Sequence, residues 1–204
     1  LVRRHCIEAG PPQYAPAPHR GKGGEISRRN PVVSILKRFF REDDRDALLP
    51  LYNAIVAKGR EPAWYREGRV PDTLDGRFDM IAAVLALVLL RLEEEGEAGR
   101  APSVHLTELF VDDMDGQLRQ MGIGDIIVGK HIGKMMSALG GRLSAYREAF
   151  RPDGDLGSAL ARNLYRGEPP AEEALEFTAQ RLRALDARIR AVPVKEQLKG
   201  QLTS

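Results

Sequence analysis

From Ile35 onward the apolar residues recur at steps of three and four, the spacing of one helix face. Leu48, Leu51, Tyr52, Ile55 and Val56 form the first such stripe, with Pro50 marking a bend or a restart. Pro62 suits a helix first turn, and Asp72 followed by Asp75 reads as the cap of a long helix over Thr73 to Glu95. Inside that helix "MIAAVLALVLL", Met80 to Leu90, is apolar all round, the pattern of a buried core helix. Leu106, Leu109, Phe110, Met114, Leu118 and Met121 then share a face, followed by Val128, Ile132, Met135, Leu139, Leu143, Tyr146 and Phe150. A last helix over about residues 170 to 192 carries Leu175, Thr178, Leu182, Leu185, Ile189 and Val192, with acids early and arginines late as the helix dipole favours. No alternating strand pattern interrupts the series. The expected class is all-α, a single compact multi-helix domain.

Between the third and fourth stripes lies "MGIGDIIVGKH", where Gly124, Gly129 and Lys130 match G-x-x-x-x-G-K. A phosphate-cradling loop needs a preceding strand and a hydroxyl after the lysine, and this segment has a helix before it and His131 in the hydroxyl position. The string reads instead as a connector between helices, with Gly122 at the left-handed position after one and Asp125 capping the next. Along that next helix Gly129, Gly133, Ser137, Gly141 and Ala145 fall at every fourth position. Glycine inside a helix costs about 1 kcal/mol relative to alanine, so the row calls for a reason. Close packing of another helix, from this chain or from a partner, is the expectation for Gly129, Gly133, Ser137 and Gly141.

Composition narrows the chemistry. The formal net charge of 204 residues is only +2, which lacks the field of a dedicated nucleic-acid binder. The single Cys6 excludes an internal disulfide framework and a four-cysteine zinc site. The longest apolar run falls far short of the roughly 20 residues that span a bilayer, and no N-terminal signal is visible, so the default location is cytoplasmic or matrix-like. Residues 1–31, rich in Pro, Gly and Arg, are expected to be a disordered basic tail, read here as an over-extended start, with the helical domain over 32–204. Asp112, Asp113 and Asp115 diverge around a helix without a histidine at ligand spacing, so neither a metal, a cofactor nor a catalytic group is expected. Asp115 and Arg119 form an i,i+4 pair. Asp113, beside the apolar stripe, calls for a cationic partner across the connector, Arg142 or Lys130.

The residues around this connector also carry a family resemblance. "FVDDMDGQLRQMGIGDIIVGK", with "GR" and "AY" beyond it and "PAW" through "VPDTLDGRF" before it, resembles the ubiquinol-cytochrome c chaperone family over roughly residues 48 to 150. Asp113, Met114, Asp115, Leu118, Arg119, Met121, Gly122, Gly124, Asp125, Val128, Lys130, Gly141 and Arg142 match its pattern. Gln120 stands where Glu is usual, and Leu139 and Gly140 where the family has an aromatic pair. The resemblance implies a non-enzymatic helical factor for assembly of respiratory complex III. It also implies the cytochrome b apoprotein as client, and in eukaryotic relatives a small helical partner and the ribosomal exit region. Such a factor would lie peripherally at the inner face of the inner membrane in a bacterium, or in the matrix in a mitochondrion. Candidate client or partner contacts are Asp113, Asp115, Arg119, Lys130, Lys134, Arg142, Trp64 and Tyr65. Lys130, His131, Lys134, Arg142 and Arg147 also make a locally basic face, so an RNA- or ribosome-binding helical protein is the competing reading. Trp64 and Tyr65 fit either a core edge or an interfacial contact.

Overall fold

The computed structural model describes residues 42–120, 122 and 125–203, all helix and turn with no strand among them. The basic segment 1–31, Met121, Gly124 and the side chains of Asp125, Val128 and His131 lie outside the described residues. In chain order the helices are α1 (Glu42–Asp46), α2 (Leu49–Gly59), α3 (Pro62–Arg66), α4 (Leu74–Glu93), α5 (Glu97–Gln120), α6 (Asp125–Ala149), α7 (Leu156–Asn163), α8 (Glu172–Ala191) and α9 (Val194–Gln197).

Helix α4 is the axis of the molecule. Every residue from Phe78 to Leu90 is buried, as an all-round apolar helix requires, because each face must meet another element. Helices α2, α5, α6 and α8 surround it. The crossing with α2 is close because Gly59 lies there: a Cβ at that position would sit 2.9 Å from the Ile81 backbone. Thr73 caps α4, its hydroxyl accepting from the Gly76 amide at 3.1 Å. This corrects the Asp72 cap expected from sequence by one residue. Asp72 instead accepts from Arg77 at 2.6 Å, a surface pair that holds its carboxyl below the usual range. Pro50 lies in the first turn of α2, so the chain restarts there rather than bends.

The long helices α5 and α6 pack against each other and both against α4. The expected stripe of α5, Leu106, Leu109, Phe110, Met114 and Leu118, is buried throughout, and Phe110 stacks against Phe78 at 5.3 Å between centroids. Helices α7 and α8 pack together, and Tyr165 after α7 reaches back to the carbonyl of Gly68 at 2.5 Å. Among the described residues no helix is long and apolar enough to cross a membrane.

Candidate partner-binding face

Helix α6 is anchored along one side and open along the other. Ile132, Leu139, Tyr146 and Ala149 are buried, and between them Arg142 turns inward. Its Nη2 donates to Asp79 of α4 at 2.5 Å and its Nε to the Asn163 carbonyl at 3.2 Å. Arg166 closes the same carboxylate from the outside at 2.6 Å and also holds Asp75 at 2.9 Å. The Asp79 side chain is fully buried. Burial pushes its carboxyl above the usual range against the pull of Arg166 and Arg142. This network fixes the rotation of α6 about its axis, because the buried arginine can reach Asp79 from only one helical face.

The opposite side of α6 carries Lys130, Gly133, Lys134, Ser137, Gly140, Gly141 and Ser144, all exposed. A Cβ added at Gly133, Gly140 or Gly141 would meet no atom of the described residues within 4 Å beyond its own helix backbone. Of the two sources expected for a close-packing helix, the described residues of this chain supply none at Gly133 and Gly141: Arg142 and the Leu139 stripe face α4, which turns the small-residue row outward. Gly129 is half-buried and Ser137 exposed. The helical glycines that do meet another backbone closely are elsewhere, at Gly59 against Ile81, at Gly76 against the Pro71 carbonyl and at Gly99 against the Leu92 carbonyl. Gly129 and Lys130 lie within α6 itself, so the lysine of the apparent phosphate loop stands on a helix.

Other candidates separate into buried and open positions. Trp64 is fully buried, its Nε1 donating to the Lys58 carbonyl at 2.8 Å and Arg181 stacking over its ring at 5.0 Å. It is core, not contact surface, because the only hydrogen-bonding atom of the indole is spent within the chain. Tyr65 is half-buried with its hydroxyl on the Gly59 carbonyl at 2.8 Å, and burial pushes it up to about 12. Arg142 leaves the basic face for Asp79, and Arg147 is tied to Glu93 at 2.8 Å through both carboxylate oxygens. Lys130 and Lys134 remain exposed on that face. Asp113 does not pair with Arg142 or Lys130. It accepts from the Tyr52 hydroxyl at 2.7 Å, a bond that braces α5 to α2, and from Gln117 one turn along α5 at 3.1 Å, so neutral donors stand where a cation was expected. Burial, then the Asp113 charge, raise the Tyr52 phenol far above its ordinary range. Asp115 and Arg119 do form the i,i+4 pair, at 2.6 Å. Among the described residues no group of His, Cys, Asp and Glu could hold a metal ion.

An all-helical domain built around one apolar axis, with an open helix face held in register by a buried ion network, is the class this architecture defines. Within it, the chain belongs to the ubiquinol-cytochrome C chaperone family, whose sequence model matches residues 66–203. The chain is 23% identical over 138 residues to ubiquinol-cytochrome-c reductase complex assembly factor 1 of Xenopus laevis, a match covering 67% of this chain and 69% of that protein. It is 23% identical over 146 residues to the Mus musculus counterpart, covering 69% of this chain and only 50% of the mouse protein. The fold is similar to the crystal structure of the Cbp3 homolog from Brucella abortus, with a TM-score of 0.68 and 27% identity, covering 84% of this chain and 95% of that one.

Proposed function

We propose that this chain is a non-enzymatic assembly chaperone of complex III that holds newly made cytochrome b through the open face of α6, working peripherally at the membrane. The observation that carries the reading is the exposed row of Gly133, Ser137, Gly140 and Gly141, with no atom of the described residues outside its own helix backbone near the added Cβ of its three glycines. Each glycine there weakens the helix by about 1 kcal/mol relative to alanine. No packing within the described chain offsets that cost. A bare helix face lets a second helix approach to backbone distance, and cytochrome b, as an apolar multi-helix membrane protein, supplies helices that pack by small-residue contacts. Lys130 and Lys134 at one end of the row and Asp115 with Arg119 on the neighbouring helix would frame the contact.

The face carries no large apolar patch: Leu74, on α4, is the one large hydrophobic among the described residues that is exposed. Recognition would rest on shape and close approach rather than on a greasy groove. A photo-crosslinking side chain at Ser137 in the full chain, expressed in respiring cells, tests this. A crosslinked product containing cytochrome b is expected, and a crosslinker at exposed Arg183 on α8 should give none. Equal crosslinking from both positions, or none from Ser137, contradicts the assignment. A ribosome- or RNA-binding role would need a dense basic face, and the inward turn of Arg142 and the Glu93 pairing of Arg147 leave this one thin.

A further inference from the structure

Helices α3 and α7 end in the same turn. The Ala63 carbonyl accepts from the amides of Glu67 and Gly68, and the Trp64 carbonyl from that of Val70. In the other turn the Leu160 carbonyl accepts from Leu164 and Tyr165, and the Ala161 carbonyl from Gly167. In each, the residue before the last donor is left-handed: Arg69 at φ 54° and Arg166 at φ 53°. They are the non-glycine residues with positive φ among the described residues. Glycine or asparagine fills such a position at little cost, whereas a long side chain there is strained. The two turns also touch, since Tyr165, just before Arg166, donates to the carbonyl of Gly68, just before Arg69.

Arg166 shows why an arginine is kept in such a place: from it the guanidinium reaches both Asp79 and Asp75. Arg69 carries the same conformational strain, is exposed, and forms no hydrogen bond or ion pair with a described residue. Its turn is rigid. Gly68 and Val70 on either side are buried, and the Gly68 carbonyl also lies 3.4 Å from the Thr178 hydroxyl. Strain retained at a fixed, exposed position without an internal partner points outward.

We infer that Arg69 is a contact residue that grips a carboxylate on the protein partner, extending the proposed chaperone reading, on which it rests, to a second point of the surface. The neighbouring charges decide between a carboxylate and a membrane or RNA. Arg77 is paired with Asp72 and Lys58 with Glu61, each at 2.6 Å, and Arg66 lies 4.0 Å from Glu67. Anionic lipid layers and RNA are held by several uncommitted cations together. One planar guanidinium on a rigid turn fits one carboxylate through two parallel hydrogen bonds.

The test compares the full chain carrying Arg69→Gly or Arg69→Lys with the unmodified chain, in cells lacking their own copy, with assembled complex III and the melting temperature of each purified protein as readouts. Arg69→Gly should melt higher by about 2–4 °C, as relief of left-handed strain predicts, while assembled complex III falls several-fold. Arg69→Lys, which keeps charge and strain but loses the fork, should also assemble less without gaining stability. Full assembly with Arg69→Gly overturns the inference and leaves the chaperone reading standing. No assembly even with the unmodified chain overturns both. Loss of binding to anionic-lipid vesicles or to RNA on Arg69→Gly overturns the carboxylate assignment.

Discussion

At the residue scale the deciding group is Asp79. A lone carboxylate sealed beside Phe78 and Met80 would be strongly unfavourable, and two guanidinium groups make it tolerable. Arg142 sits deeper than Arg166, so it carries most of that compensation. Arg142→Met should therefore cost on the order of 3–5 kcal/mol, the range for breaking a buried pair from one side. Replacing both partners, Asp79→Leu with Arg142→Met, should recover most of it. Denaturant titration of the three proteins checks this, and a loss below about 1 kcal/mol for Arg142→Met contradicts the role given to the network. None of it is legible in the sequence, because Asp79 and Arg142 are 63 positions apart and Asp79 reads only as the polar boundary of an apolar run. Asp115 with Arg119 was legible, being a local pair at helical spacing. Asp113 was half legible: its need for a partner followed from its position beside the apolar stripe, but Tyr52 as the donor required knowing that α2 crosses α5.

At the scale of elements, periodicity placed the helices well. The stripes of α2, α5, α6 and α8 fall on their buried faces, and the long apolar run became the enclosed axis α4 because nothing on it could face water. Helix ends were read less accurately. Asp72 and Thr73 are both capping residue types, and only the backbone shows that Thr73 takes the extended conformation and accepts from Gly76. Thr73→Ala should thus destabilise the domain by about 1 kcal/mol, whereas Asp72→Ala, which removes an exposed pair with Arg77, should change stability by no more than a few tenths. Equal losses in thermal melts of the two variants would contradict the cap assignment. The glycine row of α6 was visible as a row, but its direction was not. Spacing says that Gly133, Ser137 and Gly141 share a face, while the inward pull of Arg142 on the adjacent face sets which way that row looks.

At the scale of the whole molecule, the motif around the α5 and α6 connector identified the family, and the three-dimensional arrangement leaves Leu74 as the one exposed large hydrophobic among the described residues, so the proposed binding face is a polar, small-residue one. The core is spent on enclosing α4, the Asp79 network fixes α6 in rotation, and what remains outward is a strip of small residues, Gly133, Ser137, Gly140, Gly141 and Ser144, beside Lys130 and Lys134. The central claim is that this strip meets a partner rather than the chain itself. Gly133→Leu tests it most directly, with melting temperature and assembled complex III measured on the same variant. Space around Gly133 is open, and leucine removes a helix-interior glycine worth about 1 kcal/mol. The account predicts a melting temperature equal to or above that of the unmodified protein together with a marked drop in assembled complex III. Unchanged assembly, or a destabilised isolated domain, would contradict it.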